Sequence, residues 1–262
     1  MMTDPKIIVV LPAYNAARTL EKTYADIPKD KISKIILVDD VSQDQTVEVA
    51  HALGLSVVIH VQNRGYGGNQ KTGYLEALKD SADVVVMLHP DHQYDSRLVP
   101  ELTRPILEGR ADMVMGSRIL NGRALEGGMP IWKFVANRAL TILENRVFGT
   151  KLTDCHSGFR AYSRRLLTRV PFLLNADDFV FDSQMIAQAA FMGFRIDEIP
   201  VQARYFPEAS SVNFKVSTVY GLKTLGVVCR FALQRLGWAR FRIFEKTLPE
   251  VVSRHYHEAI FR

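Results

Sequence analysis

His89, Asp91, Gln93 and Asp95 stand at alternate positions in LHPDHQYDS, directly after the β-branched apolar run of residues 84–88. That run reads as a buried strand, since no polar residue interrupts it. Oxygen-bearing groups and an imidazole just past a strand's carboxyl end are suited to a hard divalent cation bridging a phosphorylated ligand. The plainer reading is a polar turn made by Pro90, Asp91 and Asp95. Two further constellations weigh against it. Asp39 and Asp40 close the run KIILVDD, where a carboxylate can accept hydrogen bonds from ribose hydroxyls or a base N–H, although one of the two could simply cap a turn. Asn63, Gly65, Gly67 and Gly68 follow the next apolar run. Their glycines permit positive φ or close backbone approach. The spacing is neither a Walker loop nor a dinucleotide G-x-G-x-x-G, which favours a mononucleotide-type ligand.

These residues need a frame that brings strand ends together. Apolar runs at 6–15, 34–40, 56–61, 84–88 and 111–117 alternate with helical patterns at 17–27, from about Thr46, and around 65–78. Ser42 or Asp44 is placed to cap the helix beginning near Thr46. Strand and helix alternating in this way predict parallel βαβ units: an α/β fold with a mostly parallel, Rossmann-like sheet and helices on both faces. With 262 residues, 47% of them hydrophobic, the chain has ample material for one large core. Cys155 and Cys229 form neither a disulfide framework nor a metal spacing, which favours a reducing, cytoplasmic setting. MMTDPK shows no basic start or apolar leader, and no uncharged apolar run approaches a spanning length.

In combination the motifs resemble the GT-A glycosyltransferases of family 2. PAYN at 12–15, VDDVSQDQT at 38–46, NRGYGGN at 63–69 and the strand ending in HPDHQYD carry the likeness. GSRI at 116–119 and HSGFRAYS at 156–163 narrow it to the dolichyl- or polyprenyl-phosphate mannose and glucose synthase branch. The resemblance implies a nucleotide-sugar site lined by Pro12, Tyr14, Asn15, Asp39, Asp40, Asn63, Gly65, Gly68 and Asp91, with Arg204 reaching the diphosphate from a loop at 203–215. It implies Mg²⁺ or Mn²⁺ on Asp91 and Gln93, with His89 standing where the family's Asp-x-Asp motif has its first Asp. An imidazole ligates Mn²⁺ more readily than Mg²⁺, so His89 either biases the metal or weakens the site. Ala16 also departs from the pattern, standing where the opening motif often has Glu.

On the acceptor side, the likeness assigns a phosphate grip to Arg118, Lys133 and Asn137. The last two are four residues apart on one predicted helix, and an Arg fork suits phosphate oxygens. For Lys133 and Arg138 an ordinary solvated face is the competing reading. Asp177, Asp178 and Asp182 raise the question of a general base, which a sugar hydroxyl would need and a phosphate would not. The Glu-Asp dipeptide typical of hydroxyl-acceptor relatives is missing from this segment. The expectation is therefore inverting hexose transfer to a polyprenyl phosphate, with Asp91 and Arg118 central. A hydroxyl-acceptor transferase, a sugar-nucleotide pyrophosphorylase and a non-catalytic nucleotide-sugar-binding protein are the rivals.

The predicted division is a GT-A domain over 1–212 and a basic amphipathic helical extension over 213–262. Residues 215–262 carry nine Lys/Arg against three Asp/Glu, more than the whole chain's net charge of +5. Leu222, Leu225, Val228, Ala232 and Leu236 repeat at helical spacing with Lys223, Arg230 and Gln234 on another face. Phe231, Trp238, Phe241 and Phe244 are interleaved with Arg235, Arg240 and Arg242. Such a segment suits a membrane interface, which would place the protein peripherally at the inner face of the cytoplasmic membrane. Packing on the domain or in a homo-oligomer is the alternative. Nucleic acid is not expected, because no binding motif accompanies the charge.

Overall fold

The computed structural model describes residues 4–120, 122, 124–204 and 214–261. Most of the loop expected to cover the donor, and the expected boundary at 212/213, lie outside the described residues.

The chain runs β1 (Ile7–Ala13), α1 (Ala17–Asp26), β2 (Lys34–Asp39), α2 (Thr46–Ala52), β3 (Ser56–Ile59), α3 (Gly65–Lys79), β4 (Val84–Met87), α4 (Val99–Leu107) and β5 (Met113–Ser117). It continues with α5 (Ile131–Phe148), β6 (Arg160–Ser163), α6 (Arg164–Leu167), α7 (Phe181–Phe191) and β7 (Ile196–Pro200). Four helices close it: α8 (Phe214–Arg235), α9 (Arg242–Glu245), α10 (Leu248–Val251) and α11 (Arg254–Ile260). The strands form one seven-stranded sheet in the order β3-β2-β1-β4-β6-β5-β7. β1 lies parallel between β2 and β4, so successive crossovers leave β1 in opposite directions. The carboxyl ends at this reversal form the crevice where open α/β sheets bind ligands.

β1 is buried at every position because helices cover both faces of the sheet. Ile8 and Val10 face a cluster with α3 and α7, and Val9 and Leu11 face one with α1 and α4. The mostly parallel reading holds, with one departure. Four-residue β6 runs antiparallel to both β4 and β5, too short to announce itself among the polar residues of HSGFRAYS. It threads Arg160, fully buried, through the sheet.

The C-terminal apolar residues divide between two surroundings. Val227, Val228 and Phe231 of α8, with Phe244, enter the main core. Leu222, Leu225 and Leu236 remain exposed. This corrects the single-stripe reading: Val228 faces inward while Leu222, Leu225 and Leu236 face out, and Phe231 and Phe244 have the fold itself as partner. Their rings meet at 5.7 Å between centroids. Arg230 lies over Phe241 at 6.0 Å, and Lys223 pairs with Asp178. Among the described residues α8 is also the one helix that is long and apolar enough to cross a membrane by length and composition, a property that a search for wholly uncharged runs overlooks.

Candidate active site

Both aspartates at the end of β2 are buried, yet their surroundings differ. Asp40 Oδ1 accepts from the Arg64 backbone N–H at 2.7 Å and faces His60 Nδ1 at 2.7 Å, while Oδ2 accepts from Gly65 N–H at 2.9 Å. It thus holds the start of α3 against the strand. Asn63 joins the same latch, donating to Asp40 O and accepting from Gly65 N–H. Asp39 Oδ2 accepts from Ser42 N–H at 3.0 Å, whereas its buried Oδ1 has no partner. Asn69 presents a second such oxygen: Nδ2 donates to Ala13 O at 3.2 Å and Oδ1 is buried without a partner. Buried acceptors left unpaired are costly, and these two oxygens are open to donors from another molecule. Sequence reasoning missed Asn69, although it ends the very motif NRGYGGN.

Around these oxygens the loops are tightly braced. Asn15 has φ 53° and Val41 φ 66°, a conformation that strains a β-branched residue and clusters at functional sites. Asn15 Oδ1 accepts from Gln43 N–H at 2.7 Å, and its own N–H donates to Ser42 Oγ at 2.9 Å. Asp44 accepts from Ala17 and Thr46 N–H, joining the starts of α1 and α2. Pro12 is buried within β1 and Tyr14 projects at the rim, 57% exposed.

The glycines serve the protein's own packing. Gly65 has φ +77°, and a Cβ there would lie 2.6 Å from Asp177 O. At Gly67 it would lie 2.4 Å from Ala176 O, and at Gly68 2.7 Å from Arg64 Cβ. Gly67 N–H donates to Asp177 O at 2.7 Å. Close approach is indeed why glycine stands here, but the approaching groups are the 176–177 backbone at Gly65 and Gly67 and the Arg64 side chain at Gly68, which differs from the ligand approach expected of Gly65 and Gly68.

Past β4, Asp91 Oδ1 accepts from Gln93 N–H at 3.1 Å and His92 takes φ 56°, turning the chain sharply. Burial pushes the Asp91 carboxyl up, and the neighbouring His89 pulls it partly back. Asp95 leaves the metal-capable set, because it caps the next turn and binds Arg97 through both oxygens at 2.8 and 2.9 Å. Tyr94 bridges Ala203, and Arg204 N–H donates to Gln93 O at 2.9 Å. Arg204 is thereby docked on the His89–Gln93 loop, its guanidinium 3.2 Å from His92 Nε2. Among the described residues no three His, Cys, Asp or Glu side chains converge on one point. His89 and Asp91 would hold a divalent cation only with diphosphate oxygens and water completing its shell, as Mg²⁺-type ions take phosphates.

Arg118 begins the loop after β5. Its Nε and one terminal nitrogen donate to the two Asp154 oxygens at 2.7 and 2.9 Å. Burial acts to raise Asp154, but the Arg118 guanidinium and Asn137 outweigh it and hold the carboxyl well below the usual range. Asn137 Nδ2 donates to Asp154 at 2.8 Å and its Oδ1 faces Thr141 at 3.3 Å. With both ends occupied and the residue buried, Asn137 braces Asp154 and does not share an acceptor-facing surface with Lys133. Burial, and then the Arg118 charge, lower the Lys133 ammonium. Arg138 donates to Thr153 O at 2.8 Å. A cavity of about 360 Å³ is lined by Arg118, Glu126 and Arg204, along with Ala124, Val201 and Gln202. The expected acceptor and donor arginines therefore meet at one space.

The three aspartates of 177–182 are all engaged. Asp177 pairs with Lys71 at 2.6 Å, Asp178 with Lys223, and Asp182 with Arg160 at 3.3 Å. Glu144 and His156 face each other at 3.3 Å, and His156 Nδ1 meets the Tyr220 hydroxyl at 2.7 Å. Burial lifts the Glu144 carboxyl to about 7 and drops the His156 imidazole to about 4.

Comparison with known proteins agrees with this architecture. Residues 8–170 match the model of the family described as glycosyl transferase family 2. An uncharacterised protein of Methanocaldococcus jannaschii is 31% identical over 84% of this chain and 89% of its own length. The UDP-N-acetylglucosamine–dolichyl-phosphate N-acetylglucosaminyltransferase of Methanococcus voltae is 28% identical over 78% of this chain and 88% of its own. Glucosyl-3-phosphoglycerate synthase of Mycobacterium tuberculosis, crystallised with Mn²⁺ and UDP-glucose, superposes with a TM-score of 0.66 at 23% identity, covering 87% of this chain and 79% of that one. It shares the GT-A fold. By fold, motif order and family match, the chain belongs to glycosyl transferase family 2 and is a glycosyltransferase.

Proposed function

We propose that the protein transfers a hexose, with inversion, from a nucleoside-diphosphate sugar to the phosphate of a polyprenyl lipid. The observation that carries this reading is the cavity where Arg118 and Arg204 meet beside the His89–Asp91 loop. A phosphate monoester is already an anionic nucleophile, so no carboxylate need take its proton, and Asp177, Asp178 and Asp182 are all committed to cations. The name of the Methanococcus voltae relative, which specifies a dolichyl-phosphate acceptor, supports the same choice.

In this reading Asp39 Oδ1 and Asn69 Oδ1 accept from the nucleoside, Tyr14 packs at its rim, and Pro12 and Asn15 shape the loop beneath. Asp40, Asn63, Gly65 and Gly68 hold that pocket in register from behind. Asp91 and His89, with Gln93 at the turn, would hold Mg²⁺ or Mn²⁺, whose charge would stabilise the departing diphosphate. Arg204, docked on the same loop, neutralises that leaving group. Arg118, steadied by Asp154, and Lys133 orient the acceptor phosphate for in-line attack on the anomeric carbon.

Exposed apolar residues on the packed pair α5 and α8, among them Ile131, Val135, Ile142, Val219 and Leu222, suit an acceptor presented at a membrane surface, with residues 213–262 as the lipid-facing part and the cytoplasmic face as the location. One observation favours a second reading. Glu126 lines the same cavity and could serve as base for a hydroxyl acceptor. Asp91→Ala should reduce transfer to background with the fold intact, and Glu126→Gln should leave lipid-phosphate transfer essentially unchanged. Loss of transfer in the Glu126 variant, with donor binding retained, would instead support the hydroxyl acceptor.

A further inference from the structure

His89 is built into its position by groups that no donor contact requires. Its Nε2 lies 3.1 Å from the Tyr66 hydroxyl. That hydroxyl is also 2.7 Å from Asp182 Oδ2. Asp182 pairs with the fully buried Arg160 at 3.3 Å and takes a further contact from Gln70 Nε2 at 3.4 Å. Gln70 is oriented by Tyr74, whose hydroxyl donates to Oε1 at 2.6 Å. Tyr66 itself is held between rings, 5.2 Å from His89 at an interplanar angle of 29° and 4.5 Å from Phe179. Below the imidazole lies Gly158, where a Cβ would come within 2.9 Å of His89 Cδ2. The glycine of HSGFR thus leaves room for the ring.

The directions of these hydrogen bonds follow from elementary accounting. A carboxylate paired with arginine only accepts, so the Tyr66 proton points to Asp182. Only the lone pairs of the Tyr66 oxygen are left for His89, and His89 Nε2 must then be the donor. With the proton on Nε2, the lone pair of the neutral ring is on Nδ1.

We infer that Tyr66 is a positioning residue that fixes His89 as the Nε2–H tautomer and so makes Nδ1 the ligating atom for the donor's divalent cation. Arg160, Asp182, Tyr66 and His89 form one outward relay, with Gly158 shaping the ring's seat. The inference rests on the donor–metal assignment given above and extends it to the device that sets the ligand atom. It also bears on metal choice, since an imidazole nitrogen presented in this way favours Mn²⁺ over Mg²⁺.

The tautomer is read directly by long-range ¹H–¹⁵N correlation of the histidine rings in the full chain without metal, the His89 signals being assigned by their loss in His89→Asp. Wild type should show His89 protonated at Nε2, and Tyr66→Phe should shift it away from that single form. Mn²⁺ binding, measured by electron paramagnetic resonance with UDP and with GDP in turn, should weaken in Tyr66→Phe by about 10- to 100-fold, the range for loss of an outer-shell partner. In a His89→Asp background the same Tyr66 change should cost less than about threefold, because a carboxylate has no tautomer to fix. A wild-type His89 protonated at Nδ1 would overturn the inference even if no variant folded. So would equal weakening by Tyr66→Phe in both backgrounds, or unaltered Mn²⁺ binding. Any of these with lipid-dependent transfer intact leaves the proposed function standing. An intact Tyr66–His89 dependence without lipid-dependent transfer overturns only the acceptor assignment.

Discussion

Asp39 and Asp40 are adjacent, alike and buried, yet their partners assign them different work. Asp40 takes two backbone N–H groups and faces His60; Asp39 keeps one oxygen without a partner. Asp40→Asn should therefore lower stability by about 1–3 kcal/mol, seen as an earlier denaturant midpoint. Asp39→Asn should leave the midpoint nearly unchanged and weaken nucleotide binding in calorimetric titration. The motif VDD made both residues candidates and could not separate them, because the distinction lies in where the Arg64 and Gly65 N–H groups arrive from another element. Asp91 and His89 were legible as metal-capable residues from their position after β4, whereas the Tyr66 contact crosses to α3 and leaves no local pattern. Glu144 and His156 offer a second test at this scale. Glu144 is raised from 4.5 to about 7, so its contribution to stability is complete below pH 4.5 and lost as pH rises through 7. His156 is lowered from 6.5 to about 4, so its contribution is present above 6.5 and lost as pH falls through 4. Across their common window the two slopes oppose each other. Glu144→Gln should unmask the histidine, with stability rising by about 3 kcal/mol from pH 4 to 6.5; a denaturation series that stays flat in this variant would contradict the assignment.

At the scale of elements, the start of α3 is the joint on which the donor pocket turns. Glycine there was read correctly as a demand for unusual backbone approach, but a sequence does not name the approaching group. The structure supplies the 176–177 backbone, and Gly67→Ala would put a methyl 2.4 Å from Ala176 O and 2.9 Å from Phe181 Cβ. The expected result is a loss of about 1–3 kcal/mol, typical of overpacking, measured by thermal or denaturant unfolding. α8 illustrates the opposite limit. Its residues repeat at helical spacing all round, so periodicity identified the helix but not its inward face. That face is chosen by the surfaces of α5 and α7, which hold Val227, Val228 and Phe231. β6 escaped sequence reading for a related reason: a four-residue antiparallel strand carrying a buried arginine has no alternation to reveal it.

For the molecule as a whole, the βαβ rhythm was sufficient to foresee a mostly parallel α/β sheet, and the strand order and the family match bear this out. What rhythm does not contain is how distant loops close on each other. Arg204 reaches the His89–Gln93 turn only because Ala203 bridges Tyr94, and Arg118 meets it across a cavity formed by segments far apart in the chain. The exposed side of α5 and α8 gives a prediction that belongs to the whole assembly. Leu222→Glu with Trp238→Glu should reduce co-flotation with anionic lipid vesicles several-fold, as expected for loss of an interfacial apolar contact, without changing the unfolding temperature by more than a few degrees. Unaltered flotation would remove the membrane from this face.

The central claim is tested most directly by nucleoside-diphosphate release from a panel of UDP- and GDP-sugars with Mn²⁺ or Mg²⁺, with and without a short polyprenyl phosphate, the product mass being recorded. The expected result is release that depends on the lipid phosphate and yields a hexosyl-lipid mass for one donor. Donor binding with no lipid-dependent release, or release that follows a sugar hydroxyl and is abolished in Glu126→Gln, would contradict it.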